Sequence, residues 1–205
     1  MPSPQKDKRN LNDETTDKEL ASLIAKGNEA ALSTIMLRYK YKLHAFIKAY
    51  VKNEDIAYDI LQETFIKLFL KADTYNPSYK FSTWLYQIAI NLCRDYGRKH
   101  KFKRLLSLDN SIGRDENSGS YIDILSDSSE DIENITSLRE QLKILNEEIE
   151  KLPHKLKIAI IMYTIENHSQ ERCAEILGVT VKTIETRVYR ARKILIEKTK
   201  EKFKD

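Results

Sequence analysis

The chain has 205 residues, of which 41% are hydrophobic and 32% are charged, and its formal net charge is +4. No apolar run approaches the roughly 20 residues that span a bilayer, and the N-terminus is too polar for a signal peptide, so we expect a cytoplasmic protein. With five Gly, four Pro and long periodic stretches of Leu, Ile, Lys and Glu, the sequence predicts an all-α fold of two small helical domains.

The first domain is predicted to cover residues 17–104, after a disordered N-terminal tail of residues 1–16. Apolar residues recur at three- and four-residue spacing from Leu20 to Tyr50, which indicates amphipathic helices. Helices are therefore predicted over 17–52, over 54–72 and from Ser82 to about Lys101, with Asn76-Pro77 ending the second and Ser82 and Thr83 as candidate caps of the third.

The helix over 54–72 carries two different faces. One face fits a domain core and consists of Ala57, Leu61, Phe65 and Leu68. The opposite face mixes acidic, polar and apolar residues, namely Asp55, Asp59, Gln62, Ile66, Leu70 and Asp73. A merely solvated face is not expected to carry Ile66 and Leu70, so this face suits a protein partner with basic residues. Packing by another helix of the same domain is the alternative.

The helix from Ser82 has a similar division. Its predicted buried side consists of Leu85, Ile88, Ala89, Leu92 and Tyr96, and its donor side of Trp84, Gln87, Asn91, Arg94 and Arg98. In the preceding loop, Tyr75, Tyr79 and Phe81 surround Lys80, a mixture of aromatic rings and a cation that can stack unpaired nucleotides and hold their backbone. For Phe81 and Trp84 we favour ordinary core packing.

A flexible acidic linker is predicted over residues 105–136, between two clusters of basic residues. The second domain, 137–205, contains a helix-turn-helix pattern. Ser169 can cap its first helix, and Gly178 supplies the turn into a second helix that begins near Thr180.

The second helix of this pattern has an apolar side and a donor side. The apolar side consists of Val181, Ile184, Val188, Ala191 and Leu195, and the donor side of Lys182, Thr186, Tyr189, Arg190 and Lys193. Donors at the start of such a helix read base edges in the major groove, and Thr186 and Arg190 are the best candidates here. A solvated basic face is the alternative.

Three segments of the chain resemble conserved regions of bacterial sigma factors. AYDILQETF resembles region 2.2, FSTWLYQIAINLCRDYGRK resembles regions 2.3 and 2.4, and the stretch from Leu152-Pro153 through TIETRVYRAR resembles region 4. They occur in the family's order, and neither region 1.1 nor a full region 3 is present. The chain is therefore identified as similar to the extracytoplasmic-function (ECF) sigma factors of the sigma-70 family.

This resemblance implies three contact surfaces and no cofactor. Core RNA polymerase would be bound by Asp55, Asp59, Gln62 and Ile66, with Phe65 in the core. The minus-10 element would be read and melted by Tyr75, Lys80, Trp84, Gln87, Asn91, Arg94, Arg98 and Lys99, with Asn91 at the base-reading position. The minus-35 element would be bound by Lys182, Thr183, Glu185, Thr186, Arg187, Tyr189, Arg190 and Lys193.

One residue departs from the family pattern, because Glu185 stands where a basic residue is usual. Its carboxylate could accept a hydrogen bond from a cytosine amine or pair with a neighbouring base such as Arg192. Free sigma modules usually expose surfaces that an anti-sigma inhibitor covers, which makes such an inhibitor a further candidate partner.

The main alternative is a helix-turn-helix regulator that acts without polymerase docking, normally as a dimer on a palindrome. A pure interaction protein would leave the basic face of 181–193 unexplained. The sequence shows no convergent acid cluster, nucleophile with a base or phosphate-binding glycine loop, so we expect no enzymatic activity. Cys93 and Cys173 are far apart without His at ligand spacing, so we expect two buried thiols and no metal site.

Overall fold

A computed structural model describes residues 15–107 and 132–202, with side chains described over 15–100 and 137–202. The described residues form helices and no strand, which confirms the all-α prediction. The helices are α1 (Asp17–Ala25), α2 (Glu29–Val51), α3 (Glu54–Leu70), α4 (Phe81–Ser107), α5 (Ile132–Lys151), α6 (His154–Ile160), α7 (Gln170–Leu177) and α8 (Val181–Lys202). None of the helices in these ranges is long and apolar enough to cross a membrane.

Side-chain caps set the starts of the first three helices. The Thr16 hydroxyl accepts from the backbone N–H of Glu19 and the Glu19 carboxylate accepts in return, which is a capping box. The Asn28 and Asn53 side chains cap α2 and α3 by accepting from the backbone N–H groups of Ala31 and Ile56. At the end of α2, Lys52 adopts a left-handed conformation (φ 59°) that turns the chain into α3. The helices predicted over 17–52 are thereby confirmed.

Helix α4 begins one residue before the predicted start. The Lys80 carbonyl accepts from the backbone N–H groups of Thr83 and Trp84, so Ser82 and Thr83 lie inside the first turn. The prediction that Ser82 or Thr83 caps this helix is therefore wrong, and both hydroxyls bond to Arg172 instead, at 2.6 and 2.8 Å. Helix α3 ends at Leu70, followed by a 3₁₀ turn over Ala72–Thr74, slightly before the predicted end.

The predicted acidic linker lies largely outside the described residues, over 108–131. At its two ends, residues 105–107 continue α4 and residues 132–136 begin α5, so helix replaces the predicted linker there. The cause at the second end is the apolar periodicity of α5, which starts with Ile132 and Ile135.

Each group of helices buries its own apolar residues. In α1 to α4 the largest fully buried side chains include Phe46, Leu43, Leu68 and Leu85, and in the helices after α5 they include Ile158, Ile161, Met162 and Ile176. Cys93 and Cys173 are free and buried in these cores, as predicted. Between α6 and α7 the chain forms a π-helical turn over Ile161–Ile165.

The two groups of helices also contact each other, through α4 with α7 and α6, and through α2 with the π-helical turn. The Tyr50 hydroxyl lies 2.8 Å from His154 Nδ1, and Lys157 Nζ lies 4.3 Å from the centroid of the Tyr50 ring. Lys52 Nζ donates to Asn146 Oδ1 at 2.8 Å. Burial and the nearby Lys157 lower the pKa of Lys52 to about 8.

His154 makes this contact sensitive to pH. Burial lowers the pKa of His154, and the surrounding cations act in the same direction, namely Arg94, Lys157, Arg187 and Lys155. The contact therefore favours the neutral imidazole. Its contribution is present above the ordinary histidine pKa of about 6.5 and is lost as the pH falls below that value.

We expect an NMR titration of the full chain to give His154 a midpoint below about 6.5. The resonance is assigned by its loss in the His154→Gln variant. The same titration in urea, where the contact is absent, should give a higher midpoint. Equal midpoints in the two conditions would show that the contact does not discriminate between the two protonation states.

Candidate functional site

The outer face of α3 is open in the described structure. Asp55, Asp59, Gln62 and Ile66 are all exposed, and Ile66 has 52% of its surface accessible. The opposite stripe of Ala57, Leu61, Phe65 and Leu68 is buried, as predicted. Within the described ranges no helix covers the outer face, so the alternative of packing inside the domain does not hold there.

Three further apolar side chains enlarge this face. Tyr58, Phe69 and Leu70 are exposed, and Leu70 was expected from its spacing. Tyr58 stacks on His44 with ring centroids 4.3 Å apart, which ties the edge of the face to α2. The sequence analysis did not select Tyr58 and Phe69. Their positions flank the predicted face on the helical wheel, and a wider apolar sector would have included them.

The aromatic residues around the start of α4 divide into a buried set and an exposed one. Tyr75 lies 5.5 Å from Phe81 and 5.4 Å from Trp84, measured between ring centroids. Phe81 is buried, as expected, and Trp84 is half-buried. The Tyr75 hydroxyl donates to the Tyr79 carbonyl at 2.7 Å, whereas the Tyr79 ring is 65% exposed. Tyr79 is therefore the accessible aromatic ring of this loop, although Tyr75 was the predicted one.

The donor side of α4 is continuous and accessible along most of its length. Exposed side chains follow one another on this side, namely Gln87, Asn91, Arg94, Arg98 and Lys99. Asp95 lies between Arg94 and Arg98, at 3.9 and 3.6 Å, and holds the two guanidinium groups near each other. Asn91 itself is open to a ligand.

The start of this donor side is occupied by α7. Lys80 Nζ lies 3.0 Å from Glu175 Oε2, and the Thr83 hydroxyl donates to Glu175 Oε1 at 2.9 Å. Gln87 Nε2 donates to the Ile176 carbonyl at 3.3 Å. Burial alone would raise the pKa of Glu175, but the hydrogen bonds from Lys80, Thr83 and Arg172 outweigh it and lower the pKa. Glu175 is therefore a carboxylate in this contact.

The helix-turn-helix has the predicted geometry. The Ser169 hydroxyl accepts from the Arg172 N–H at 3.1 Å, and Gly178 takes the left-handed conformation (φ 63°) that ends α7. On α8, the inward side chains of Ile184, Val188, Ala191 and Leu195 are buried. This arrangement confirms the predicted division of faces.

The outer face of α8 presents charged and aromatic groups to solvent. Lys182, Glu185, Tyr189, Arg190 and Lys193 are exposed, whereas Thr183, Thr186 and Arg187 are half-buried. The Thr186 hydroxyl donates to the Lys182 carbonyl at 2.9 Å, so it is left to act as an acceptor. Thr183 bonds to the capping Thr180. Arg190 is therefore the stronger of the two candidate base readers.

Glu185 pairs with Lys182 at 2.8 Å, on its own helix face. The suggested pairing with Arg192 is not found, because the Arg192 guanidinium lies 5.5 Å above the ring of Tyr163. The spacing of three residues on a helix brings Lys182 and Glu185 together.

Arg172, Glu175, Ser82 and Thr83 are functional candidates that the sequence analysis missed. The four residues meet in one hydrogen-bonded cluster that spans about ninety positions of the chain. No local pattern reports such a pairing, since each of these residues alone is an ordinary surface or capping residue.

Two family models match the chain, one over each group of helices. Residues 35–103 match the Sigma-70 region 2 family and residues 142–195 match the Sigma-70, region 4 family. The first match contains most of α2, α3 and α4 through Lys103, and the second contains the helix-turn-helix.

Among solved structures, CnrH in complex with the cytosolic domain of CnrY is 24% identical, covers 88% of this chain and 95% of its own, and has a TM-score of 0.60. The sigma factor RpoE in complex with the anti-sigma factor NepR from Bartonella quintana is 23% identical, with coverages of 82% and 96% and a TM-score of 0.54. Both show the same fold.

Curated relatives are similar over nearly the whole chain. The ECF RNA polymerase sigma-E factors of Salmonella typhimurium strain LT2 and Escherichia coli strain K12 are each 30% identical over 190 residues, which is 92% of this chain and 96% of theirs. The chain therefore belongs to the ECF sigma factors, a group within the sigma-70 family of transcription initiation factors.

Proposed function

We propose that this chain binds core RNA polymerase with α3, reads and traps the melted minus-10 strand with α4 and its preceding loop, and grips the minus-35 duplex with α8. The observation that carries the proposal is the uncovered outer face of α3, because a regulator that works without polymerase has no use for it. The action is that of a binding factor in the cytoplasm, where promoters and polymerase lie.

The polymerase surface combines acids with apolar side chains. Asp55, Asp59 and Ile66 are exposed on the same side of the helix. Burial of exposed apolar area supplies affinity, while the carboxylates select a basic partner surface. The relative RpoE is bound by an anti-sigma factor. We propose that an anti-sigma inhibitor of this chain would compete for the same apolar residues.

At the minus-10 element, α4 offers Asn91 as an amide that can donate to and accept from one base edge. Arg94, Arg98 and Lys99 lie further along the same side and are placed to neutralise phosphates. The exposed Tyr79 ring supplies a stacking surface. The half-buried Trp84 packs against Tyr75, whose hydroxyl donates to the Tyr79 carbonyl. Stacking of an extruded base offsets part of the cost of melting, of the order of 1–3 kcal/mol per base.

The residues between the two domains complete the proposal. We place the first domain at 17–107 and the second at 132–205, with the acidic segment 108–131 as a tether between them. A tether keeps the second surface near the promoter once the first has bound, so two modest affinities combine.

The test of the polymerase surface uses two isoleucines of equal exposure. Ile66 and Ile196 are each 52% exposed, but Ile196 lies on α8 away from the α3 face. We expect Ile66→Lys to weaken binding to core polymerase at least roughly tenfold, since it places a cation against a basic partner and removes apolar contact. Ile196→Lys should bind like the unmodified chain.

Run-off transcription with core polymerase on a genomic promoter library provides the functional readout. The unmodified chain should direct initiation at specific sites, and Ile66→Lys should lose this activity in proportion to its weaker binding. A chain that forms no complex with core polymerase, yet occupies a duplex operator tightly by itself, would instead be a conventional helix-turn-helix regulator.

The minus-10 reading is tested with Asn91→Ala on promoters that carry each base at each minus-10 position. We expect the variant to lose discrimination at one position, by about 1–3 kcal/mol in open-complex formation, and to keep it at the others. The unaffected positions serve as the internal control. A uniform loss at every position would assign Asn91 a structural role.

The minus-35 reading is tested with Arg190→Ala against Arg192→Ala, which removes the same charge from the same helix. Arg190 is open to solvent on the donor face, whereas Arg192 lies over Tyr163. Arg190→Ala should relax recognition at one minus-35 base pair by about 1–3 kcal/mol. Arg192→Ala should change binding equally on all sequences. Indistinguishable profiles for the two variants would remove Arg190 from the base-reading set.

A further inference from the structure

The contact between α7 and the start of α4 is centred on one carboxylate. Glu175 accepts from Lys80 Nζ at 3.0 Å and from the Thr83 hydroxyl at 2.9 Å, and it pairs with Arg172 Nη1 at 3.0 Å. Arg172 in turn donates to the Ser82 and Thr83 hydroxyls. Thr83 is only 5% exposed, although it lies in the first turn of a helix.

The groups that hold the Glu175 carboxylate on α4 also suit a phosphate. A lysine ammonium and a threonine hydroxyl are common donors to backbone phosphates of nucleic acids, and carboxylate and phosphate oxygens accept in similar ways. The Lys80 side chain is 68% exposed, so it keeps room for a different anion. Glu175 is drawn from the other domain, about ninety positions further along the chain.

The same helix covers neighbouring parts of the proposed minus-10 surface. Gln87 Nε2 is bonded to the Ile176 carbonyl, so its amide donor is satisfied from within the chain. Asn91, one turn further along α4, is exposed. The α7 helix thus occupies the first part of the proposed strand path and leaves the second part open.

We propose that Lys80 and Thr83 form a binding site for a backbone phosphate of single-stranded DNA, and that Glu175 occupies this site in the free chain. The DNA strand can then bind this site only when α7 moves away. In the free chain, α7 therefore blocks part of the minus-10 surface. This inference rests on the proposed function, since it adds a phosphate site and an internal competitor to the minus-10 surface.

A competitor within the chain lowers the apparent affinity for DNA, because only the molecules in the open form can bind the strand. Glu175→Gln keeps the size of the side chain and removes the charge that Lys80 and Arg172 neutralise. The matched control is Glu171→Gln, which removes the same charge from an exposed position on α7. A general gain in electrostatic attraction to DNA is equal in the two variants.

The first measurement is the binding of a fluorescein-labelled pool of random single-stranded 12-mers, followed by anisotropy. A random pool is suitable because a phosphate contact does not depend on sequence. Glu175→Gln should bind roughly threefold to tenfold more tightly than Glu171→Gln, as expected for the loss of a charged hydrogen-bonded competitor. Equal affinities of the two variants would overturn the proposal.

The second measurement reports the closed arrangement without DNA or polymerase. Donor and acceptor dyes are placed on the full chain at Lys71→Cys and Glu197→Cys, which are exposed, while the native cysteines are buried. Energy transfer should fall in Glu175→Gln and stay unchanged in Glu171→Gln. Unchanged transfer in both variants would show that Glu175 does not hold the domains together, and the proposal would fail.

Thr83→Val tests the contact from the α4 side, because it removes the hydroxyl and keeps the shape. Energy transfer should fall as it does in Glu175→Gln, but DNA affinity should rise less, since the variant also loses a phosphate donor. A gain in affinity equal to that of Glu175→Gln would remove Thr83 from the site. Failure of run-off transcription would instead overturn the proposed function and leave the energy-transfer result standing.

Discussion

The arrangement of the molecule depends on helix α4, which must satisfy three different environments at once. Leu85, Ala89 and Cys93 fill the core of the first domain. The side that carries Asn91 stays open to solvent. At the start of α4, the Ser82 and Thr83 hydroxyls and the Lys80 ammonium group bond to Arg172 and Glu175 of the second domain. A change in the orientation of this helix would therefore disturb the core, the donor surface and the contact between domains together.

The strength of the α7 contact follows from its exposure. Its charged groups are partly open to water, so each ion pair contributes little, of the order of 0–1 kcal/mol. The shared hydrogen bonds on Thr83, which is buried, add more than an isolated surface pair would. Such a contact is strong enough to bias the free chain and weak enough for two binding partners to open it.

Periodicity predicted the parts of the fold that depend on neighbours in sequence. The core stripe of α3 that ends in Leu68 and the buried side of α8 follow from helical spacing alone. Ser169 and Gly178 were recognisable as the residues that begin and end α7. The roles of Ser82 and Thr83 could not be predicted, because the residues that bond to them lie about ninety positions away. Local capping statistics favoured the wrong assignment there.

The predicted site residues show the same division. Spacing placed Asp59, Gln62 and Ile66 on one open face, since a helix surface depends only on the sequence of that helix. Tyr75 and Tyr79 were not distinguishable, because their exposure is set by the packing of Phe81 and Trp84. The sequence left more than one partner open for Glu185. In the folded helix it pairs with Lys182, because residues three positions apart are neighbours on a helix surface.

Opening of the contact leaves few charges without partners. If Lys80 exchanges the Glu175 carboxylate for a phosphate, its ammonium group stays paired with an anion. Glu175 keeps Arg172, which lies 3.0 Å away on the same helix and moves with it. The closed and open forms therefore have similar numbers of favourable charge pairs. The free energy difference between them is small enough for the binding of DNA and polymerase to shift the chain to the open form.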